Sequence, residues 1–236
     1  MRRSVALGLL LAGCGSASVG PIVTGPPSPA ASSARQTLRY VALGDSYTIG
    51  TAETESARWP NQLVARLGPE PPTLELVANL GVNGFTSADV IAAELPQLVA
   101  LHPGFVSLLV GVNDVVQGVP ETEFRRNASL ILHDLLGRLP GDRIVTVATP
   151  DYTVTPRGVA FGDPVAQSAG IRRVNAILAQ LAAARRIRFV DIYDLSLRAG
   201  SDAGLVAGDG LHPSGAQYAL WVDRIAPVVE ELLHSP

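Results

Sequence analysis

Residues 38–50 read LRYVALGDSYTIG, a short, mostly apolar run that halts at Gly44 and passes directly to Asp45 and Ser46. An apolar run stopped by a glycine is the mark of a strand buried on both faces, the kind found in parallel sheets. Four more such runs follow: TLELVANL (73–80), FVSLLV (105–110), RIVTVA (143–148) and IRFVDI (187–192). Helical patterns separate them over 60–67, 87–101, 121–139 and 164–184, and a last one runs over 214–233. The clearest sets Phe124, Ala128, Ile131, Leu132, Leu135, Leu136 and Leu139 along one stripe, the spacing of a helix with one buried face. Pro96 and Pro227 fall inside the second and last patterns; with no N–H to donate, each predicts a kink or a break. No internal repeat is present. The alternation predicts an α/β fold: a doubly wound, three-layer α/β/α sandwich on a five-stranded parallel sheet, with its site outside the carboxyl ends of the strands.

Composition narrows the chemistry. The 236 residues, 47% hydrophobic and 17% charged, suffice for one globular domain, expected over 38–236. A net charge of −3 without any run of basic residues argues against a nucleic-acid partner. All 18 basic residues are arginine, which removes every chemistry that needs a lysine amine: a Schiff base, a pyridoxal lysine, a phosphate-loop lysine, a Ser–Lys dyad. The single cysteine, Cys14, allows no intrachain disulfide.

Arg2 and Arg3 precede the apolar run VALGLLLAG (5–13) and then Cys14. A charged start and an apolar stretch too short to span a bilayer mark residues 1–13 as an export signal. LAGC (11–14) resembles the bacterial lipobox, in which cleavage falls before the cysteine and its sulfur receives a diacylglyceryl group. One acyl chain, at about 0.8 kcal/mol per buried CH₂, binds a membrane only marginally, whereas two or three hold firmly. Residues 14–37, with Pro21, Pro26, Pro27 and Pro29 among small residues, then form a lipidated tether. The domain is expected outside the cytoplasm, at the cell surface or in the periplasm, associated with the membrane through its N-terminal lipid alone. The alternative is a plain secretory signal cut near GSAS (15–18), which makes a secreted protein.

The predicted topology sorts the polar residues by edge. Asp45 and Ser46 follow the first strand, Asn79 to Gly84 the second and Gly111 to Asp114 the third, while Asp209 to His212 come after the fifth. All of these fall on the carboxyl edge. The tripeptide LHP occurs twice, at 101–103 and 211–213. His102 ends the helix that feeds the third strand, on the opposite edge, where Pro103 and Gly104 read as helix-stop signals. His133 and His234 lie in helical segments. His212 is therefore the histidine placed for chemistry, and Ser46, at a strand-to-helix turn, is the candidate nucleophile. Serine is inert at neutral pH without a base. His212 can take its proton, and Asp209 can accept from the other ring nitrogen and fix the tautomer. The oxyanion of an attacked carbonyl needs preorganised donors, which the Gly84 backbone N–H and the Asn113 amide supply. Taken singly, GDS, NGF and GVND are ordinary turns; their joint order on one edge carries the reading.

ALGDSYTIG (42–50), NLGVNG (79–84), GVND (111–114) and DGLHP (209–213) resemble the four sequence blocks of the GDSL, or SGNH, hydrolases, a likeness that spans essentially residues 38–233. The resemblance implies the flavodoxin-like sandwich of that family. It also implies that Ser46 is the nucleophile, that its backbone N–H with Gly84 and Asn113 forms the oxyanion hole, and that Asp209 and His212 complete the triad. Gly81 is the rival for the glycine of the second block. Gly84 is preferred because the family spacing N-x-x-x-x-G runs from Asn79. RWP (58–60) resembles the family's segment at the start of the first helix, and the long loop 149–164 carries no assignable role.

The implied reaction is hydrolysis of a carboxylic ester through an acyl-enzyme, with no metal and no organic cofactor. Short-chain acyl or O-acetyl esters, of small molecules, glycans or lipids, are favoured because no large insertion supplies a lid. Lipase- or thioesterase-like action on longer chains is the alternative, and a monomer is expected. Two readings come from other classes. A metal-dependent phosphoesterase would draw on Asp45, Asn113, Asp114, Asp209 and His212, but its usual Asp-x-His and Gly-His-x-His elements are missing. A catalytically silent, surface-tethered binding module would be expected to have lost one of Ser46, Asn113, Asp209 or His212.

Overall fold

The computed structural model describes residues 37–234. The expected signal 1–13, Cys14 and the tether up to residue 36 lie outside the described residues, while Thr37 already belongs to the first strand. Strands β1 (Thr37–Gly44), β2 (Thr73–Asn79), β3 (Phe105–Leu109), β4 (Ile144–Val147) and β5 (Arg188–Val190) form one parallel sheet in the order β2-β1-β3-β4-β5. These are the five apolar runs read from the sequence, shifted at their ends by no more than a residue or two. The helices are α1 (Ser46–Ile49), α2 (Trp59–Leu67), α3 (Ser87–Asp89), α4 (Leu98–Leu101), α5 (Val112–Val116), α6 (Glu121–Arg138), α7 (Pro164–Ala183), α8 (Tyr193–Leu197) and α9 (Gly215–Leu233). The strand order is flavodoxin-like, and its switch point lies between β1 and β3, where a doubly wound sheet opens a crevice at its carboxyl edge.

Strand β1 shows why these runs lack polar alternation. Tyr40 and Ala42 enter one cluster with Trp59 and Leu63 of α2 and Trp221 and Ile225 of α9. Val41 and Leu43 enter another with Leu98 of α4, Phe124 and Ile131 of α6 and Ile177 of α7. Successive side chains point to opposite faces, and both faces are covered over Tyr40 to Leu43, so that part of the run is apolar on both sides, while the charged Arg39 falls at the exposed start of the strand. The α6 stripe buries Phe124, Ala128, Ile131, Leu132 and Leu135, with Leu136 and Leu139 packed at its margin.

The two prolines behave differently. The stretch 87–101 is not one helix: α3 passes into a π turn (Val90–Glu94) and a 3₁₀ turn (Leu95–Gln97) before α4. Pro96 has no N–H, and its ring crowds the carbonyl four residues back, so the ladder widens before it and tightens after it. Across Pro227, by contrast, α9 runs unbroken. One hydrogen bond is forfeited there, but Trp221, Ile225 and Val229 keep both halves of the helix against the sheet. His102 closes α4 in the left-handed conformation, at φ 45°, just before the amino end of β3. His133 lies in α6, and His234 follows the last turn of α9.

Candidate active site

The site starts where β1 stops. Gly44 sits at φ 145°, and a Cβ there would fall 2.0 Å from Leu109 O, so only glycine lets the ends of β1 and β3 come this close. Asp45 is extended and caps α1 by accepting from Tyr47 N–H at 2.9 Å. Ser46 is thereby the first residue of α1, nearly buried at the sheet edge. Two residues of the second block secure this turn from below. Asn79 Nδ2 donates to Thr48 O at 2.8 Å, and a Cβ on Gly81 would lie 2.7 Å from Asp45 O. The Gly81 N–H is occupied by Asn79 Oδ1 at 3.2 Å, and Gly81 does not line the cleft.

Gly84 does line it, at φ 84°. Asn113 of α5 donates from Nδ2 to Phe85 O at 2.9 Å, and Gln117 Nε2 donates to Gly84 O at 3.1 Å, so α5 and the turn after it hold this loop in place. A primary amide has two N–H bonds, which leaves one on Asn113. Among the described residues the backbone N–H groups of Ser46 and Gly84 donate to no protein acceptor. Three donors therefore stand unused around the serine. The neighbouring Asp114 is buried elsewhere: it accepts from Ser87 N–H at 2.9 Å and from the Ser87 hydroxyl at 2.5 Å, tying α3 to α5.

The turn before α9 brings His212 to the cleft. Asp209 Oδ1 accepts from Leu211 N–H at 2.9 Å and His212 N–H at 3.0 Å, while Oδ2 meets His212 Nδ1 at 2.5 Å. Burial pushes the Asp209 carboxyl up, but the hydrogen bonds from the His212 ring and the two backbone N–H groups outweigh it and hold the group below its ordinary value. An ionised carboxylate only accepts. The network thus assigns the ring proton to Nδ1 and leaves the Nε2 lone pair as the basic site. A short antiparallel bridge pins the loop, with Ala207 N–H on His212 O at 2.8 Å and Ser214 N–H on Leu205 O at 2.9 Å. The Tyr47 ring packs 5.3 Å from that of His212. Ser46 and His212 line the same cleft without a hydrogen bond between them; such contacts often close only when substrate binds.

The cleft has a volume of about 210 Å³. Ser46, Gly84, Asn113 and His212 form its polar side, and Val112, Val116, Tyr152, Phe161 and Leu211 its apolar wall. Tyr152 and Phe161 come from the loop 149–164, where they pack edge to face at 5.7 Å. That loop is tied to the histidine turn by Arg157 N–H on Gly210 O at 2.9 Å and to α7 by Tyr152 hydroxyl on Gln167 Oε1 at 2.8 Å. Sequence reading missed this wall, and irregular backbone offered no periodicity by which to find it. Of the five residues a metal phosphoesterase would use, only Asn113 and His212 line the cleft. Among the described residues no group of three or more His, Cys, Asp or Glu is placed to hold a metal ion.

A flavodoxin-like sandwich with serine, glycine, asparagine and histidine gathered at its β1/β3 switch point defines the SGNH hydrolase class. The chain belongs to the GDSL-like lipase/acylhydrolase family, whose model matches residues 42–220, and is a carboxylic ester hydrolase. Its fold is similar to that of a variant of an acetyl xylan esterase from Geobacillus stearothermophilus, with a TM-score of 0.63 and 21% identity over 81% of this chain and 94% of that one. A member of the lipolytic protein G-D-S-L family from Veillonella parvula gives a TM-score of 0.65 and 17% identity over 81% of this chain and 98% of that one. For TesA the values are 0.64 and 20%, over 82% and 99%. Likeness at such identities is a likeness of fold. Among proteins of curated function, none matches the sequence.

Proposed function

We propose that the chain hydrolyses short-chain carboxylic esters, O-acetyl esters among them, through an acyl-enzyme on Ser46. Ser46 Oγ attacks the carbonyl carbon while His212 Nε2 takes its proton. The oxyanion rests on the N–H groups of Ser46 and Gly84 and the free amide N–H of Asn113. Protonated His212 then gives its proton to the leaving alcohol, and water repeats the sequence to release the acid. The observation that carries this reading is the Asp209–His212 pair at 2.5 Å, opening on the same cleft as Ser46 and the unused donors. A cleft of about 210 Å³ lies below the roughly 300–1,000 Å³ of sites that enclose drug-sized ligands, which favours a small acyl group. The fold shared with an acetyl xylan esterase supports the acetyl case.

The test is a panel of chromogenic esters of graded chain length, run beside acetylated glycans. Acetyl and other short esters are expected to give the highest kcat/KM, and Ser46→Ala to lose on the order of 10⁶ in turnover. A maximum at long chains would instead favour lipase-like action. That second reading draws on the exposed Val159, Phe161 and Val165 beside the cleft loop.

Lipid attachment at Cys14, with residues 14–37 as tether, is proposed from the LAGC motif alone. Among the described residues no helix is long and apolar enough to cross a membrane. Cys14→Ser is expected to release the protein from the membrane fraction with kcat unchanged. A wild-type mature chain that begins downstream of Cys14 and carries no lipid would mark a secreted enzyme instead.

A further inference from the structure

Much of the apolar wall of the cleft comes from one irregular stretch, 151–162, which follows β4 and carries Tyr152 and Phe161. Its root is fixed by a buried carboxyl group. Asp151 Oδ1 accepts from Thr153 N–H at 2.9 Å and the Thr153 hydroxyl at 2.6 Å, while Oδ2 accepts from the Ser168 hydroxyl at 2.5 Å and the Tyr193 hydroxyl at 2.8 Å. The Asp151 N–H donates to Ser196 Oγ at 2.8 Å, and Arg172 donates to the Ser168 and Tyr193 oxygens, each at 2.8 Å. The start of the stretch is thus tied to α7 and α8. Tyr152, the next residue, is buried and held at both ends: its hydroxyl donates to Gln167 Oε1 at 2.8 Å, and its carbonyl accepts from the Thr155 hydroxyl at 2.7 Å.

Phe161 is held differently. It ends a 3₁₀ turn, Gly158–Phe161, that folds back on Tyr152. A Cβ on Gly158 would fall 2.1 Å from Tyr152 O, and Gly162 leaves the turn at φ 125°, where a side chain is rarely accommodated. The Phe161 ring meets that of Tyr152 edge to face at 5.7 Å, yet 37% of the residue stays exposed. The other wall residues are committed elsewhere. Val112 is packed in the core, Tyr152 is bonded in place, and Leu211 belongs to the histidine turn, with its N–H on Asp209. Phe161 is a large wall residue whose size can change without pulling on the core or on the histidine turn. Because the surroundings are tied down, space opened there stays open, as packed sites relax only in part.

We propose that Phe161 is a specificity-determining residue: its ring bounds the room for the acyl group and so sets how many carbons the cleft accepts. The inference rests on reading this cleft as the ester site of Ser46. A phenyl ring with one face against Tyr152 and another toward water gains contact when an acyl chain lies along it, and it stops a chain that would run through it. A smaller side chain at 161 should admit longer acyl groups, and a larger one should exclude all but the shortest.

The test is kcat/KM for soluble p-nitrophenyl esters from acetyl to octanoyl, each kept below the concentration at which it aggregates, in wild type, Phe161→Ala, Phe161→Leu and Phe161→Trp. The quantity read is the ratio of octanoyl to acetyl kcat/KM, in which a loss shared by all esters cancels. Each methylene newly accepted is worth roughly fourfold, so two or three of them should raise the ratio in Phe161→Ala on the order of 10- to 100-fold. Phe161→Leu should lie between Phe161→Ala and wild type, and Phe161→Trp below wild type. A merely structural role would lower the melting temperature and every ester together, leaving the ratio where it was. A ratio unchanged in all three variants, or one that does not follow side-chain size, would overturn the assignment. So would a change confined to esters presented on phosphatidylcholine vesicles, which would make Phe161 a lipid-surface contact. The reading beneath the inference fails separately: an active Ser46→Ala would remove the cleft as the ester site, whereas a flat Phe161 series beside a dead Ser46→Ala would remove only the role of Phe161.

Discussion

Two histidines in the same tripeptide have opposite surroundings, and the difference is one of position. His212 sits on the turn before α9 with Nδ1 on Asp209 and its ring in the cleft, whereas His102 is exposed and closes α4 at the far edge of the sheet. On the proposed reading, in which Ser46, Asp209 and His212 act as a triad, His212→Ala is expected to lose turnover nearly as completely as Ser46→Ala, on the order of 10⁶. His102→Ala should turn over like wild type. Turnover of both variants, with circular dichroism to show each folded, decides between them. A dead His102→Ala beside an active His212→Ala would contradict the edge assignment. The same contrast separates Gly84, which opens on the cleft, from Gly81, whose N–H is already bonded and whose missing side chain makes room for the Asp45–Ser46 turn.

At the scale of elements, α9 anchors the histidine turn, because it begins directly after that turn and buries a full stripe on the sheet. Its Trp221 is fully buried and packs edge-on to Tyr218 with ring centroids 5.0 Å apart. Trp221→Ala should destabilise the domain by about 3–5 kcal/mol, the transfer and cavity cost of a large buried aromatic. Urea unfolding followed by circular dichroism measures it, and a loss below about 1 kcal/mol would mean that α9 collapses into the vacancy. The helix survives Pro227 for the same reason that it matters: packing on both sides of the proline outweighs one missing backbone bond. The stretch 87–101 has only short segments to oppose Pro96, and it breaks there.

For the molecule as a whole, the buried acids set the pH dependence of stability. Burial pushes the Asp45 and Glu94 carboxyls up to about 8 and about 9 in the folded state, against roughly 4 in an unfolded chain. Between those limits the folded state binds more protons than the unfolded one, so stability falls as pH rises, by up to about 1.4 kcal/mol per pH unit for each group. Above the upper limit that slope ends. Asp209 works in the opposite sense: its carboxyl is held low, so the stability it contributes is present above the ordinary carboxylate range and is lost as pH falls below it. The expected result is a melting temperature that declines from about pH 5 to about pH 8, and less steeply in Glu94→Gln. A flat or rising wild-type profile would mean that the two acids are ionised in the folded protein.

The five strands, the long helices α2, α6, α7 and α9 and the edge on which each polar block falls were legible along the chain, because each depends on local pattern: apolar runs of strand length, helical stripes, and glycine or asparagine where a strand turns into a helix. Ser46, Gly84, Asn113, Asp209 and His212 could be placed on one edge for that reason, since a doubly wound parallel sheet sends every strand end of one kind to the same side. Contacts between distant segments left no such trace. Glu94 looked like one more polar residue of a helix until the π turn carried it beneath β1. Tyr152 and Phe161 looked like loop residues until Arg157 tied their loop to the histidine turn. Burial, carboxyl groups held protonated and cleft walls arise from groups far apart in the chain meeting in a dry space, and only the packed sandwich decides which groups meet.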